Sequence, residues 1–97
     1  MNRTEAEYAQ MLDIEQRAGE IAWWRFEAVK IRLADNTFYT PDFLVLRADM
    51  RLELHEVKGA LVMDDAKVKL KMAAEMFPAG VVLAQKVKKA WTVEALS

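Results

Sequence analysis

The sequence predicts an α/β domain in which helices flank a mixed central sheet, the elements running α-β-β-β-α-β. Three observations carry that expectation. A helical stripe occupies residues 4–18; residues 21–58 are rich in β-branched and aromatic side chains broken by turn signals; and a second helical pattern precedes the unbroken apolar run Val81–Ala84. Helices alternating with strands bury their apolar faces most simply as layers packed on a sheet.

Thr4–Ala18 places Tyr8, Met11, Leu12 and Ala18 on one stripe, and Gly19 is positioned to end the helix. Ile21–Leu33, reading IAWWRFEAVKIRL, has strand composition and leads into the turn Ala34-Asp35-Asn36. Phe38–Arg47 and Arg51–Lys58 are expected as the second and third strands, joined by Ala48-Asp49-Met50. Pro41 cannot donate a ladder hydrogen bond, which points to an edge or bulge at that position. Asp64 is a helix cap candidate for a segment ending near Phe77, with Ala66, Leu70, Ala73 and Phe77 inward and Pro78 and Gly80 as stops. Val81–Ala84 has the pattern of a strand buried on both faces. Lys86–Lys89 reads as a basic turn, and Trp91–Leu96 as a last strand or short helix.

With 97 residues, the chain is expected to form one domain, 1–97, around a single core. It is 54% hydrophobic and 30% charged, an ordinary globular composition without repeats. The absence of cysteine excludes disulfides, thiolate metal sites and cysteine nucleophiles, and fits a reducing, cytoplasmic setting. No apolar run approaches the roughly 20 residues of a membrane helix, and NRTEAEYAQ lacks a secretory apolar region, so no membrane partner is expected. The net charge of −1 is unevenly spread. Residues 1–20 carry two basic and five acidic side chains, whereas residues 58–97 carry seven basic and four acidic, so the second half can present a basic face.

The informative stretch is YTPDFLVLRADMRLELHEVKG, Tyr39–Gly59. Strand alternation puts Leu52, Leu54, Glu56 and Lys58 on one face, and Arg51, Glu53, His55 and Val57 on the other. Asp42, Leu44 and Leu46 share a face in the same way. Antiparallel pairing then gathers Asp42, Glu56 and Lys58 at one end of an apolar stripe. Two nearby carboxylates repel and lose hydration, so either a salt bridge to Lys58 or a bound cation must offset the cost. A hard divalent metal takes one or two carboxylates and leaves its other positions to water and substrate phosphate. Asp42 and Glu56 suit that role, with the Val57 carbonyl as a neutral third ligand, and Lys58 is placed to act on an attacking water or on developing charge.

Pro41-Asp42 followed by Glu56-Val57-Lys58 resembles the PD-(D/E)XK motif of the restriction-endonuclease-like nucleases. The similarity extends over YTPDFLV, EVKG and DDAKVKLKMAAEMFP, covers roughly Glu5–Ala84, and is nearest to small phage-encoded members, including the Holliday-junction-resolving endonuclease of T-odd phages. It implies a Mg²⁺-dependent DNA endonuclease, with Mn²⁺ able to substitute, that leaves a 5′-phosphate and a 3′-hydroxyl. It assigns Asp42 and Glu56 as metal ligands, Lys58 as the catalytic lysine, and a first-helix glutamate as a further ligand. Glu5 matches the family pattern of a Leu seven residues on, here Leu12; Glu7 and Glu15 are its rivals. The resemblance also implies a phage or prophage protein acting in a bacterial host, and a homodimer suits a domain this small. A non-catalytic DNA- or protein-binding module, or an accessory subunit of the same fold, is the competing class.

Lys67, Lys69, Lys71 and Lys86 are candidate phosphate contacts, against the alternative of solvated faces with Lys71 paired to Glu75. His55 turns away from the candidate metal face and is expected to be structural. Trp23 and Trp24 cannot share a strand face, so one is expected in the core and the other at a partner interface or in a base-stacking contact. Asp64 and Asp65 are expected to cap the second helix.

Overall fold

The computed structural model describes residues 1–59, 64–77 and 79–96, with the side chains of 64–66 left aside. The expected caps at Asp64 and Asp65, the inward Ala66 and the stop at Pro78 lie outside what is described. Helix α1, Arg3–Arg17, opens with a capping box: Asn2 Oδ1 accepts the Glu5 N–H at 2.8 Å and Glu5 Oε1 accepts the Asn2 N–H at 2.7 Å. Tyr8, Ala9 and Leu12 form its buried stripe, and Gly19, at φ +81°, carries the chain out of the helix.

Among the described residues seven strands follow: β1 Ile21–Phe26, β2 Ile31–Ala34, β3 Thr37–Tyr39, β4 Phe43–Arg47, β5 Leu52–Lys58, and, after helix α2 at Asp64–Met76, β6 Gly80–Val87 and β7 Ala90–Ala95. The main sheet has the order β1-β4-β5-β6-β7, and β2 with β3 forms a separate ribbon. In that sheet β5 and β6 run parallel, joined through α2, whereas β1–β4, β4–β5 and β6–β7 are antiparallel. Without the ribbon, the elements up to β6 run α-β-β-β-α-β as expected.

Two expected strands are each divided. Ile21–Leu33 becomes β1 and β2 because Glu27 adopts φ 49°, its N–H bonding the Asp42 carbonyl at 2.9 Å, so the chain leaves the sheet after Phe26. Phe38–Arg47 becomes β3 and β4 because Pro41 has no N–H for a ladder and sits fully buried between them. The basic turn contracts to Lys88-Lys89, both at positive φ, the conformation that suits a two-residue hairpin; Lys86 belongs to β6. The last element is a strand, not a helix.

The sheet separates two cores. On one face Tyr8, Leu12, Phe43, Val45, Val57 and Ala84 pack beneath α1. On the other, the ribbon and α2 cover the sheet, with Tyr39, Leu44, Leu54, Leu70, Ala73 and Val81 at the centre. Val81–Ala84 is buried throughout, as an interior strand with both faces covered requires. Trp23 packs toward the α2 core and Trp24 toward the α1 core, so each is half-buried rather than one being free at an interface. Among the described residues, no helix is long and apolar enough to cross a membrane.

Candidate active site

The β4–β5 ladder ends at the pair Phe43–His55. One residue further out, Asp42 Oδ2 accepts the Val57 N–H at 2.8 Å, so its side chain takes the place of a backbone partner. In an extended strand a residue's N–H and C=O point to the same side, so the Val57 carbonyl also faces the Asp42 edge, past the last ladder pair. Alternation in β5 sends Leu54 to the α2 core and Val57 to the α1 core, and leaves Glu56 and Lys58 on the α2 side, as the spacing requires.

Glu56 is buried, and both its oxygens are engaged. Tyr39 donates its O–H to Oε1 at 2.6 Å, and Lys58 Nζ lies 3.1 Å from Oε2. The Lys58–Glu56 salt bridge considered from the sequence is therefore present, and among the described residues Asp42 makes no ion pair, although its charge acts on Lys58. Burial pushes the Asp42 carboxyl up to about 7; the Val57 N–H opposes this, while the Glu56 and Glu5 carboxylates add to it, Glu5 within hydrogen-bonding reach. Burial opposes protonation of Lys58, but its bond to Glu56 and the charges of Glu56, Asp42 and Glu5 together raise its pKa and hold it cationic. Burial and the neighbouring Glu56 raise the Tyr39 phenol well beyond its usual range, so it remains a donor.

Among the three first-helix candidates, the fold separates the roles. Glu5, fixed by its capping bond, acts electrostatically on both Asp42 and Lys58. Glu7 pairs with Lys86 and thereby ties α1 to β6, which takes Lys86 out of the group of free cations. Glu15 lies at the other end of α1, in a cavity with Arg47, Glu53 and His55. There His55 bonds Tyr8 Oη through Nδ1 at 2.6 Å and Glu53 through Nε2 at 2.9 Å, a buried structural network on the α1 side of the sheet.

Lys69 and Lys58 line one cavity of about 340 Å³ with Glu56 and Tyr39, at the α2 side of the site. Lys67 and Lys71 are exposed on α2, and Lys71 makes no ion pair with Glu75 among the described residues. Tyr39 is the site residue that sequence reasoning missed. It stands three positions before Asp42, and nothing in the alternation reveals that a ribbon strand turns it onto Glu56.

Among the described residues, no three His, Cys, Asp or Glu side chains converge so as to hold a metal ion unaided. The donors present at the Asp42 edge are all hard oxygens: the Asp42 and Glu56 carboxylates and the Val57 carbonyl. That number and type fit a magnesium-like ion that keeps much of its water or takes substrate oxygens, and a cation would offset both the burial and the neighbouring carboxylates that raise Asp42.

No family model and no curated protein matches the chain. Among solved structures, it is similar to Hjc, a Holliday junction resolvase from the archaeal hyperthermophile Archaeoglobus fulgidus, with a TM-score of 0.61 and 21% identity, over 92% of this chain and 74% of that one. It is also similar to SSO0001, with a TM-score of 0.58 and 12% identity, over 96% of this chain but 50% of that one, so it spans half of that protein's length. At these identities the likeness is one of architecture, and the five-stranded mixed sheet between two helical layers is the restriction-endonuclease-like fold.

Proposed function

We propose that the chain is a metal-dependent endonuclease that hydrolyses DNA phosphodiesters, with branched DNA such as a four-way junction as its foremost substrate and duplex DNA as the other. The observation that carries this reading is the meeting of Asp42, Glu56 and Lys58 at one sheet end, with Glu5 acting on Asp42 and Lys58 from the helix, where burial and then the neighbouring carboxylates push the Asp42 carboxyl up to about 7. A fold needs no such crowding, and a scaffold that only bound DNA would gain from its removal. The fold shared with Hjc supports the choice of branched DNA.

In this reading Asp42, Glu56 and the Val57 carbonyl would hold a divalent cation, Mg²⁺ or Mn²⁺, and Glu5 would add negative charge beside it or bind through one of its waters. When bound, the cation supplies charge stabilisation at the phosphate. Lys58, kept protonated by Glu56, orients the attacking water and stabilises charge on the pentavalent transition state; it does not act as the base. Water adds to phosphorus as it gives up a proton to solvent, the P–O3′ bond breaks, and the 3′ oxygen leaves as a hydroxyl after taking a proton from solvent. Tyr39 fixes the orientation of Glu56. Lys67, Lys69 and Lys71 contact flanking phosphates, each adding a salt-dependent increment to binding. A homodimer would present two such sites to a junction, and a phage or prophage protein working in the bacterial cytoplasm is the setting this activity suits.

The test compares cleavage of linear duplex, single-stranded, nicked and four-way-junction DNA with Mg²⁺, Mn²⁺ or chelator. Metal-dependent cutting, strongest on the junction and abolished by Glu56→Ala, is expected. No metal-dependent cutting of any substrate, or full activity in Glu56→Ala, overturns the reading.

A further inference from the structure

The cavity of about 340 Å³ beside Glu56 and Lys58 has a wall that phosphodiester hydrolysis does not need: Phe38, from the β2–β3 ribbon. Strand alternation buries Tyr39 and turns Phe38 outward, where it remains 46% exposed. A single exposed aromatic is ordinary. This one, however, stands in the same cavity as Lys58 and Lys69, and Lys30 Nζ lies 4.7 Å from its ring centroid. The Lys30 ammonium lies over the ring, while the ring also lines the cavity and stays exposed enough to take a flat partner.

We propose that this cavity is a subsite for an unpaired nucleobase next to the scissile phosphate, with Phe38 as the stacking platform and Lys69 as a contact to the adjoining phosphate. The assignment rests on the endonuclease reading and narrows its substrate to DNA that offers an unstacked base at the cleavage point. A base inside a duplex has both faces covered by its neighbours, so only one released from the stack can lie against Phe38. The volume falls at the small end of the roughly 300–1,000 Å³ typical of ligand pockets, enough for a base and its sugar. Base identity is read weakly here. Glu56 is already committed to Tyr39 and Lys58, and the remaining polar wall, the Thr40 hydroxyl, both donates and accepts. The subsite therefore selects for unpaired structure rather than for sequence.

The test measures binding of oligonucleotides carrying 2-aminopurine, in chelator, so that no cleavage is required. One probe places the reporter unpaired at the branch of a splayed duplex; the other places it within a fully paired duplex of equal length. Wild-type protein is expected to quench the unpaired reporter by stacking. Phe38→Ala should lose that quench and bind the splayed probe about tenfold more weakly, the lower-middle range for loss of one base–aromatic stack, with binding of the paired duplex unchanged. Phe38→Trp should retain both properties. Equal affinity and quenching in wild type and Phe38→Ala, no quenching by wild type, or equal weakening on both probes overturns the subsite. Phe38-dependent binding without cleavage of any DNA would retain the subsite and remove the endonuclease reading, whereas cleavage without Phe38 dependence would do the reverse.

Discussion

The Asp42 carboxylate caps the end of the β4–β5 ladder by accepting the main-chain N–H of Val57 at 2.8 Å. One bond thus fixes a charged side chain against the strand that carries Glu56 and Lys58. It also holds that side chain where burial, Glu56 and Glu5 push its proton affinity up.

The first prediction concerns pH and stability. For Asp42 the folded state binds the proton more tightly than the unfolded chain, since its pKa rises from the ordinary 3.8 to about 7. Between those values the native state carries more protons, so this group favours folding at low pH and the contribution is lost as pH rises through about 7. Metal-free wild type should therefore lose melting temperature relative to Asp42→Asn as pH rises from about 4 to about 8. A constant difference between the two across that range would show that Asp42 is not crowded in solution.

Metal binding gives a second readout that needs no catalysis. Mg²⁺ or Mn²⁺ should raise the melting temperature of the wild type more at pH 8 than at pH 5, because protonated Asp42 competes with the cation. Asp42→Asn and Glu56→Ala should each remove most of that rise. Stabilisation of equal size in all three proteins would place the cation elsewhere.

For Lys58, the contact to Glu56 argues a cationic role. Lys58→Met should lower kcat for cleavage by about 10²–10³-fold, the range for losing one preorganised charge-stabilising donor. Lys58→Arg, which keeps the charge, should retain more activity than Lys58→Met. An equally severe loss in Lys58→Arg and Lys58→Met would point instead to an uncharged lysine as base.

The Tyr39–Glu56 bond can be removed without changing the shape of the core. Tyr39→Phe should cost about 1.5–3 kcal/mol of stability, the usual range for a hydrogen bond to a charged group, and should raise the metal concentration needed for half-maximal cleavage. An unchanged metal requirement would reduce Tyr39 to a packing residue.

The first-helix glutamates differ in what they touch, which yields a final comparison. Glu5→Gln preserves an N-cap partner for Asn2 yet removes the charge facing Asp42, so cleavage should fall by tenfold or more at near-wild-type stability. Glu15→Gln, in the His55 cavity, should leave cleavage unchanged. The opposite ranking in a metal-dependent cleavage assay would move the helix ligand to Glu15.

What the sequence by itself determined is local and periodic. The α1 stripe around Tyr8 and Leu12, the interior strand Val81–Ala84, and the shared face of Glu56 and Lys58 all follow from repeats of 3.6 and 2, which depend on covalent geometry alone. Placement of Asp42 opposite Glu56 followed from the short Ala48-Asp49-Met50 turn, which sets the ladder register. The tertiary structure decided the rest. The apparent continuity of Ile21–Leu33 and Phe38–Arg47 is broken by Glu27 and Pro41, because segments of similar composition can enter different sheets and only long-range packing chooses between them. That break forms the ribbon which delivers Tyr39 to Glu56 and Phe38 to the cavity, across 17 residues in the first case. Likewise, three glutamates spaced along one helix are equivalent to a periodicity argument. The docking of α1 on the sheet sets Glu5 by Asp42, Glu7 by Lys86 and Glu15 by His55, because the contacts available to a side chain depend on what packs against its helix rather than on its place within it.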